Sequence, residues 1–289
     1  MNHLIFSQKD RYRQLTLCDD FKEIALRTWH LMRNAYEFDM GIGEETITDI
    51  NLLELKIRQP DLVFTKKMSR RAEHRIGADW LWAIVGRTGA TFILYVQAKK
   101  FFPETGRYNS LIERVHPFQQ VDKLISNQFF YSLFGINMYP IYVFYNYFEG
   151  HTHGINCNCG VSMNKKLSGC SYADAIEVRS RIVAHQDSFD DLYPIQYAWS
   201  CLVCCGGGGS ATRGTDLARS FFDSIVDTQK LNAFMRERNN IDFSASNLVT
   251  EKPPEFVEQV ISGDQINEEI FTDLNIGEIV VFDERKFYE

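Results

Sequence analysis

Asp79, Gln97 and Lys99 are the residues whose types and spacing most directly suggest chemistry. They sit in Gly77-Ala78-Asp79-Trp80 and Val96-Gln97-Ala98-Lys99-Lys100, on two apolar segments that read as the arms of a hairpin. Side chains alternate faces along a strand, so Gln97 and Lys99 point the same way and Ala98 the other. The turn between Val85 and Thr91 folds the second strand back along the first, which brings Asp79 to the same sheet end. Asp79 and the amide oxygen of Gln97 suit a hard cation such as Mg²⁺ or Mn²⁺, which prefers oxygen ligands and keeps several waters. Lys99 beside that ion would orient or activate a water and offset charge developing on a phosphate. The chemistry expected is metal-dependent phosphodiester hydrolysis.

The elements that must position these groups can be read along the chain. Phe21, Ile24, Ala25, Leu31, Met32 and Ala35 recur at helical spacing and predict an amphipathic helix over 20–35. A second helix follows Gly41-Ile42-Gly43, opening on Glu44 and Glu45, which complement the helix dipole, and ending before Pro60. Leu62–Thr65, Ala78–Val85, Thr91–Lys99 and Ile141–Tyr147 read as strands, and residues 117–133 as a helix between the last two. Trp80 and Trp82 alternate with Leu81 and read as core rather than as stacking surfaces. The order of helix, three strands, helix and strand predicts an α/β fold with a mixed sheet flanked by helices. Residues 151–289 are expected to form a mainly helical, cysteine-containing extension packed on a domain of residues 1–150. Within it, Tyr172–Ala184 and Thr215–Phe234 read as helices, Thr215 as an N-cap, Tyr197–Cys205 as a buried strand and Glu278–Phe282 as a strand. Pro253-Pro254 is suited to starting a short helix.

The 289 residues can bury a sizeable core without disulfide support. No stretch reaches the ~18 to 20 apolar residues of a membrane span, and a cytoplasmic setting without membrane contact is expected. The seven cysteines are an odd count, with Cys18 far from the others, which cluster between Cys157 and Cys205, and they read as reduced thiols. A net charge of −7 argues against broad coating of nucleic acid, yet Lys56 to Arg107 is mostly basic. Lys66, Lys67, Arg70, Arg71, Lys100 and Arg107 are candidate nucleic-acid contacts there, with a solvated loop as the competing account. The stretch after Thr250 is acidic, and could shield that basic segment.

The Gly-Ala-Asp-Trp and Val-Gln-Ala-Lys-Lys segments resemble the PD-(D/E)xK, or restriction-endonuclease-like, nuclease superfamily, in the Mrr-like variant where Gln97 replaces the usual acidic residue. More narrowly the pair is similar to a bacterial family of unknown function. The resemblance covers roughly residues 40–150. It implies a restriction-endonuclease-like sheet, a Mg²⁺- or Mn²⁺-dependent nuclease acting on nucleic acid with DNA favoured, and a role in restriction or anti-phage defence. It also implies a glutamate from the helix before the core, for which Glu45 is the first choice. Glu44, Asp49 and Glu73 are the alternatives. The proline that usually precedes the aspartate is missing here.

Other features have two readings. Cys157-x-Cys159 and Cys201-x-x-Cys204 offer four thiolates to a structural zinc, but the first spacing chelates poorly and the second pair reads as small apolar residues. His151 and His153 could add ligands or simply be exposed. Tyr108, Gln119, Gln120 and Lys123 could line a groove or be solvated. Gly206–Ser210 lacks the Gly-Lys-Ser/Thr ending of a phosphate loop and reads as a linker. Two further functional classes remain open on sequence: a catalytically silent nucleic-acid or protein-binding module that keeps the nuclease fold, and a zinc-stabilised interaction protein. A homo-oligomer or a regulatory partner is compatible with any of the three.

Overall fold

The structure, a computed structural model, describes residues 17–67, 78–108, 111–112, 119–132, 136–150, 154–157, 162–204, 216–239, 245–267, 269–274 and 276–285. Glu73, Arg70, Arg71, Cys159, His151, His153 and the Gly206–Ser210 segment lie outside these residues, as does the Gln119 side chain.

Two helices, α1 (Leu17–Glu37) and α2 (Glu44–Arg58), precede the strands β1 (Val63–Lys67), β2 (Ala78–Val85), β3 (Thr91–Phe102) and β4 (Arg107–Tyr108). Then come α3 (Gln119–Ser132), β5 (Tyr139–Tyr145), β6 (Cys170–Asp174), α4 (Ala175–Val183), the short α5 (Phe189–Leu192), β7 (Tyr197–Ala198) and α6 (Cys201–Cys204). The chain continues through α7 (Leu217–Ile225), α8 (Thr228–Asn239), β8 (Val249–Thr250), α9 (Glu255–Ser262), α10 (Glu269–Leu274) and β9 (Ile276–Asp283). The strands form one mixed sheet in the order β1-β9-β2-β3-β5-β6-β7, with β4 and β8 pairing onto β3. This is the α/β architecture expected from the first half of the chain: β2 and β3 are an antiparallel hairpin, and α3 crosses to β5, which runs parallel to β3.

The second half contributes to the same sheet. β9 runs parallel to β2 and separates it from β1, while β6 extends the sheet beyond β5. The acidic stretch after Thr250 is therefore not a detachable shield: it ends in an internal strand whose Val280, Val281 and Phe282 are fully buried.

Trp82 lies against Phe21 of α1, with ring centroids 6.4 Å apart, so the even-numbered side chains of the hairpin meet α1. Tyr95 turns to the other face and donates to the Leu274 carbonyl at the end of α10. Trp80 and Trp82 are core residues, as expected. A buried ion pair joins α1 to α2: Arg58 Nη1 lies 3.2 Å from Asp20 and 2.8 Å from Glu23, and Nε 2.6 Å from Glu54. Close approach also constrains α1, because a Cβ on Gly169 would lie 2.0 Å from the Ala25 carbonyl oxygen.

Several local expectations are corrected. Residues 172–174 belong to β6, and α4 begins only where the Asp174 side chain accepts from the Ile176 and Glu177 amides. The stretch 197–205 is not one strand, since β7 stops at Ala198 and a turn leads into α6. α7 is capped by Asp216 and separated from α8 at Val226-Asp227, where Asp227 accepts from the Gln229 and Lys230 amides. The cysteines are not all reduced, because Cys18 and Cys204 are joined in a disulfide linking the start of α1 to α6. Among the described residues no helix is long and apolar enough to cross a membrane.

Replacing Arg58 with Met leaves the fully buried Asp20 without its guanidinium. Unfolding stability should fall by roughly 3–5 kcal/mol, the usual cost of breaking a buried pair from one side, read as a lower denaturant midpoint with an unchanged slope.

Candidate functional site

The hairpin ladder runs from Val85–Thr91 to Trp80–Val96 and stops there. Gly86 donates to Ala90 across the turn, so the even-numbered amides of β3 face β2. The next two such amides, at Ala98 and Lys100, would lack partners once the strands part, and buried backbone donors must be satisfied. Side-chain carboxylates take both. Asp79 Oδ2 accepts from Ala98 N at 2.6 Å, and Glu44 Oε2 accepts from Lys100 N at 2.7 Å. Gln97 Nε2 donates to the same Asp79 oxygen at 2.6 Å. Asp79, Gln97 and Glu44 are thus gathered at one place on the β3 edge, and Lys99 lies beside them.

Each residue is positioned by its element. Gln97 and Lys99 continue the face of Tyr95, away from α1, and are each only 4% exposed. Glu44 opens α2 and comes from the opposite face. There Thr48 Oγ1 donates to the Glu44 carbonyl and meets the Tyr145 hydroxyl at 2.9 Å. Thr28 on α1 donates to Asn51 one turn further on, tying the two helices together. Lys100 reaches back to the Ile42 carbonyl just before α2.

The electrostatics are those of crowded carboxylates. Burial pushes the Asp79 carboxyl up to about 6; the Ala98 amide and Lys99 charge oppose this and the Glu45 charge adds to it. Burial likewise raises Glu44 to about 7, with Lys99 opposing and Asp79 adding. Among the described residues, the Lys99 side chain makes no hydrogen bond or ion pair, and the other oxygen of Asp79 and the amide oxygen of Gln97 accept none.

Of the glutamates considered from sequence that are among the described residues, Glu44 is the one hydrogen-bonded into the site. Glu45 is exposed and close enough for its charge to act on Asp79. Asp49 instead pairs with Lys67 at 2.8 Å. Sequence reasoning missed Glu278 on β9, which lies in register with Trp80 and Lys67. Burial raises its carboxyl to about 7, Lys67 opposing and Asp49 adding. No local signal could have found it, since its neighbours come from elements about 200 residues earlier.

The basic candidates scatter. Lys66 is exposed, Lys67 is engaged with Asp49, Lys100 is half-buried over the Phe102 ring, and Arg107 pairs with Asp187. Tyr108 does not line a groove: it is buried, donating to Asn146 and accepting from Gln196. Lys123 is exposed and Gln120 half-buried on α3. The four-thiolate zinc set is broken, because Cys204 is in the disulfide with Cys18; Cys157 and Cys201 are buried.

The residues present fit a hard cation. Among the described residues no three His, Cys, Asp or Glu side chains form a ready cage. Two carboxylates and an amide oxygen completed by water are nevertheless a donor set that Mg²⁺ accepts. The upward shifts of Asp79 and Glu44 mark a place where added positive charge would be favourable.

The family model described as "Family of unknown function (DUF6615)" matches residues 17–288. The chain belongs to that family. The match takes in both halves of the sheet, from α1 to β9, and so contains every residue of the site. No curated protein matches the DUF6615 chain.

Asp79, Glu44 and Glu278 hold protons more tightly in the folded chain than the ordinary carboxylate range of ~4 in the unfolded one. Their contribution is therefore full below pH ~4 and is lost as pH rises through 6 to 7. Glu44→Gln, which keeps an oxygen for Lys100 N, should raise stability at pH 8 by about 1 kcal/mol or more and leave it unchanged at pH 4, measured by urea unfolding at both values.

Proposed function

We propose that this DUF6615 protein is a Mg²⁺- or Mn²⁺-dependent nuclease that hydrolyses phosphodiester bonds, with DNA the favoured substrate. The single observation that supports this best is the meeting of Asp79, Gln97, Glu44 and Lys99 where β2 and β3 part. The resemblance of the Gly-Ala-Asp-Trp and Gln-Ala-Lys segments to PD-(D/E)xK nucleases points the same way. So does the order of hairpin, helix and parallel strand.

In this reading Asp79, Gln97 and Glu44 hold the ion, with Glu45 adding negative charge at the rim. The ion, when bound, supplies positive charge that polarises the phosphate and acidifies water. Asp79 and Glu44 keep their orientation because each is tied to a β3 amide, so little reorganisation is needed when substrate arrives. Lys99 carries an ammonium in a largely buried place, where its charge acts strongly on a phosphate oxygen and can orient the attacking water. The phosphoryl transfer leaves one strand end with a phosphate and the other with a hydroxyl.

A cytoplasmic setting and a role in restriction or anti-phage defence belong to the same proposal and rest on the resemblance alone. The Cys18–Cys204 disulfide sets a condition on it, since reducing compartments rarely keep such bonds.

The reading favours a specific competitor at one point. Gln97 turns its amide NH2 toward Asp79 and satisfies that carboxylate with a hydrogen bond rather than a metal, as a metal-free binding module would need. Cleavage separates the two. Purified protein incubated with plasmid, single-stranded DNA and RNA should cut at least one of them with Mg²⁺ or Mn²⁺ and none in EDTA. Lys99→Ala should lower the rate by roughly a hundredfold or more; metal-independent binding with no cutting by the wild-type protein would favour the silent module. Millimolar Mg²⁺ should also raise the melting temperature of the wild-type protein at pH 8 and leave that of Asp79→Asn unchanged, through preferential binding to the folded chain.

A further inference from the structure

Beside the site lies a cavity of about 260 Å³ between the end of α1 and the end of β3. Its walls include Tyr36, Met40 and Phe102, and its polar groups are Asp39, Lys100 and Glu104. It is joined to the candidate site in two ways. Lys100 lines the cavity while its amide holds Glu44, and the wall from Asp39 to Ile42 runs directly into Glu44 along the chain. Phe102 is three residues beyond Lys99, about 10 Å along an extended strand, and turns to the other face of it, the one from which Glu44 reaches the site.

The neighbourhood is unusually apolar for an exposed surface. α1 gives way to a left-handed residue, Asp39, with φ 51°, and the flanking Phe38 and Met40 are 75% and 70% exposed. Tyr36 is half exposed, its ring 6.0 Å from Tyr147. Large apolar side chains grouped in solvent mark a binding surface rather than a resting one. The cavity is smaller than the roughly 300–1,000 Å³ of pockets for drug-sized ligands, so it has room for one planar ring system. Aromatic walls take the faces of such a ring, and Asp39 and Glu104 offer carboxylates to its polar edge, while the Lys100 ammonium lies over Phe102 and donates to the Ile42 carbonyl.

We propose that this cavity receives an unpaired nucleobase of a single-stranded nucleic acid whose backbone runs past Glu44 to the site of Asp79 and Lys99. The inference rests on the nuclease reading and adds the class of substrate. A paired base cannot leave its stack to enter without an unpairing cost, whereas a single strand presents its bases freely to aromatic platforms. Tyr36, Met40 and Phe102 are binding residues in this account and take no part in the bond cleavage.

The test is fluorescence anisotropy with the full chain in EDTA, so that nothing is cut. The probes are a labelled single-stranded 12-mer, its duplex, and the same single strand carrying one abasic position. The wild-type protein should bind the single strand more tightly than the duplex. Tyr36→Ala and Phe102→Ala should each weaken single-strand binding by roughly tenfold, and the abasic strand should lose little more on Phe102→Ala. Tyr36→Ala is the safer variant because its side chain is half exposed, and melting curves of both variants identify any that misfold. Equal affinity for single strand and duplex, or unchanged affinity in a folded Tyr36→Ala protein, overturns the base pocket. In parallel, cutting of duplex DNA with Mg²⁺ by a protein that fails this test would sink the pocket and spare the nuclease. A wild-type protein that neither binds nor cuts any nucleic acid overturns both.

Discussion

A strand that loses its neighbour must find new partners for its amides, and at the end of β3 this requirement organises the site. Beyond Trp80 and Val96 the hairpin opens, exposing the Ala98 and Lys100 amides on the edge that β2 no longer covers. Asp79 and Glu44 supply carboxylate oxygens to them. Placing two acids beside a buried lysine has an electrostatic consequence: both carboxyls rise, because burial outweighs the amide bonds and the Lys99 charge, with Glu45 adding to the rise of Asp79 and Asp79 to that of Glu44. The same contacts that finish the backbone hydrogen bonding therefore create a place where a cation would be welcome.

That arrangement depends on where α2 begins. Glu44 can reach Lys100 only because α2 is held against the sheet by the Thr48–Tyr145 contact and against α1 by Thr28–Asn51 and the Arg58 ion pairs. α1 in turn is pressed onto the sheet through Phe21, Trp82 and Trp199, and is joined to α6 by the disulfide. The Trp199 indole donates to the Phe21 carbonyl, which explains why the chain turns inward at 199 instead of continuing as a strand. Cys204 accordingly cross-links the helix layer, and Cys201 packs within it.

β9 carries a second constraint. Inserted between β1 and β2, it makes the last strand of the chain a central one and brings Glu278 beside Lys67 and Trp80. The hairpin that holds Asp79 and Gln97 is flanked by β9 on one side and β5 on the other, so side chains at its opening are held by a sheet complete on both edges.

Much of this was legible in the residues. Alternation and β-branched runs gave β2 at both ends, β5 within two residues and β3 to within three at its end, and the helical spacing of Phe21, Ile24, Ala25 and Met32 gave α1, because these periods report directly which side chains are buried. Strand alternation also put Gln97 and Lys99 on one face, and the hairpin turn put Asp79 at their end. Tertiary structure alone decided the rest. Glu44 rather than its neighbour Glu45 bonds into the site because of a rotation of α2 set by contacts from α1 and β5. The helical reading of 172–174 failed because β6 is extended by pairing with β5, a partner nearly 30 residues earlier. The placing of β9, Glu278 and the Cys18–Cys204 bond likewise rests on contacts between residues distant in sequence, which local spacing does not encode.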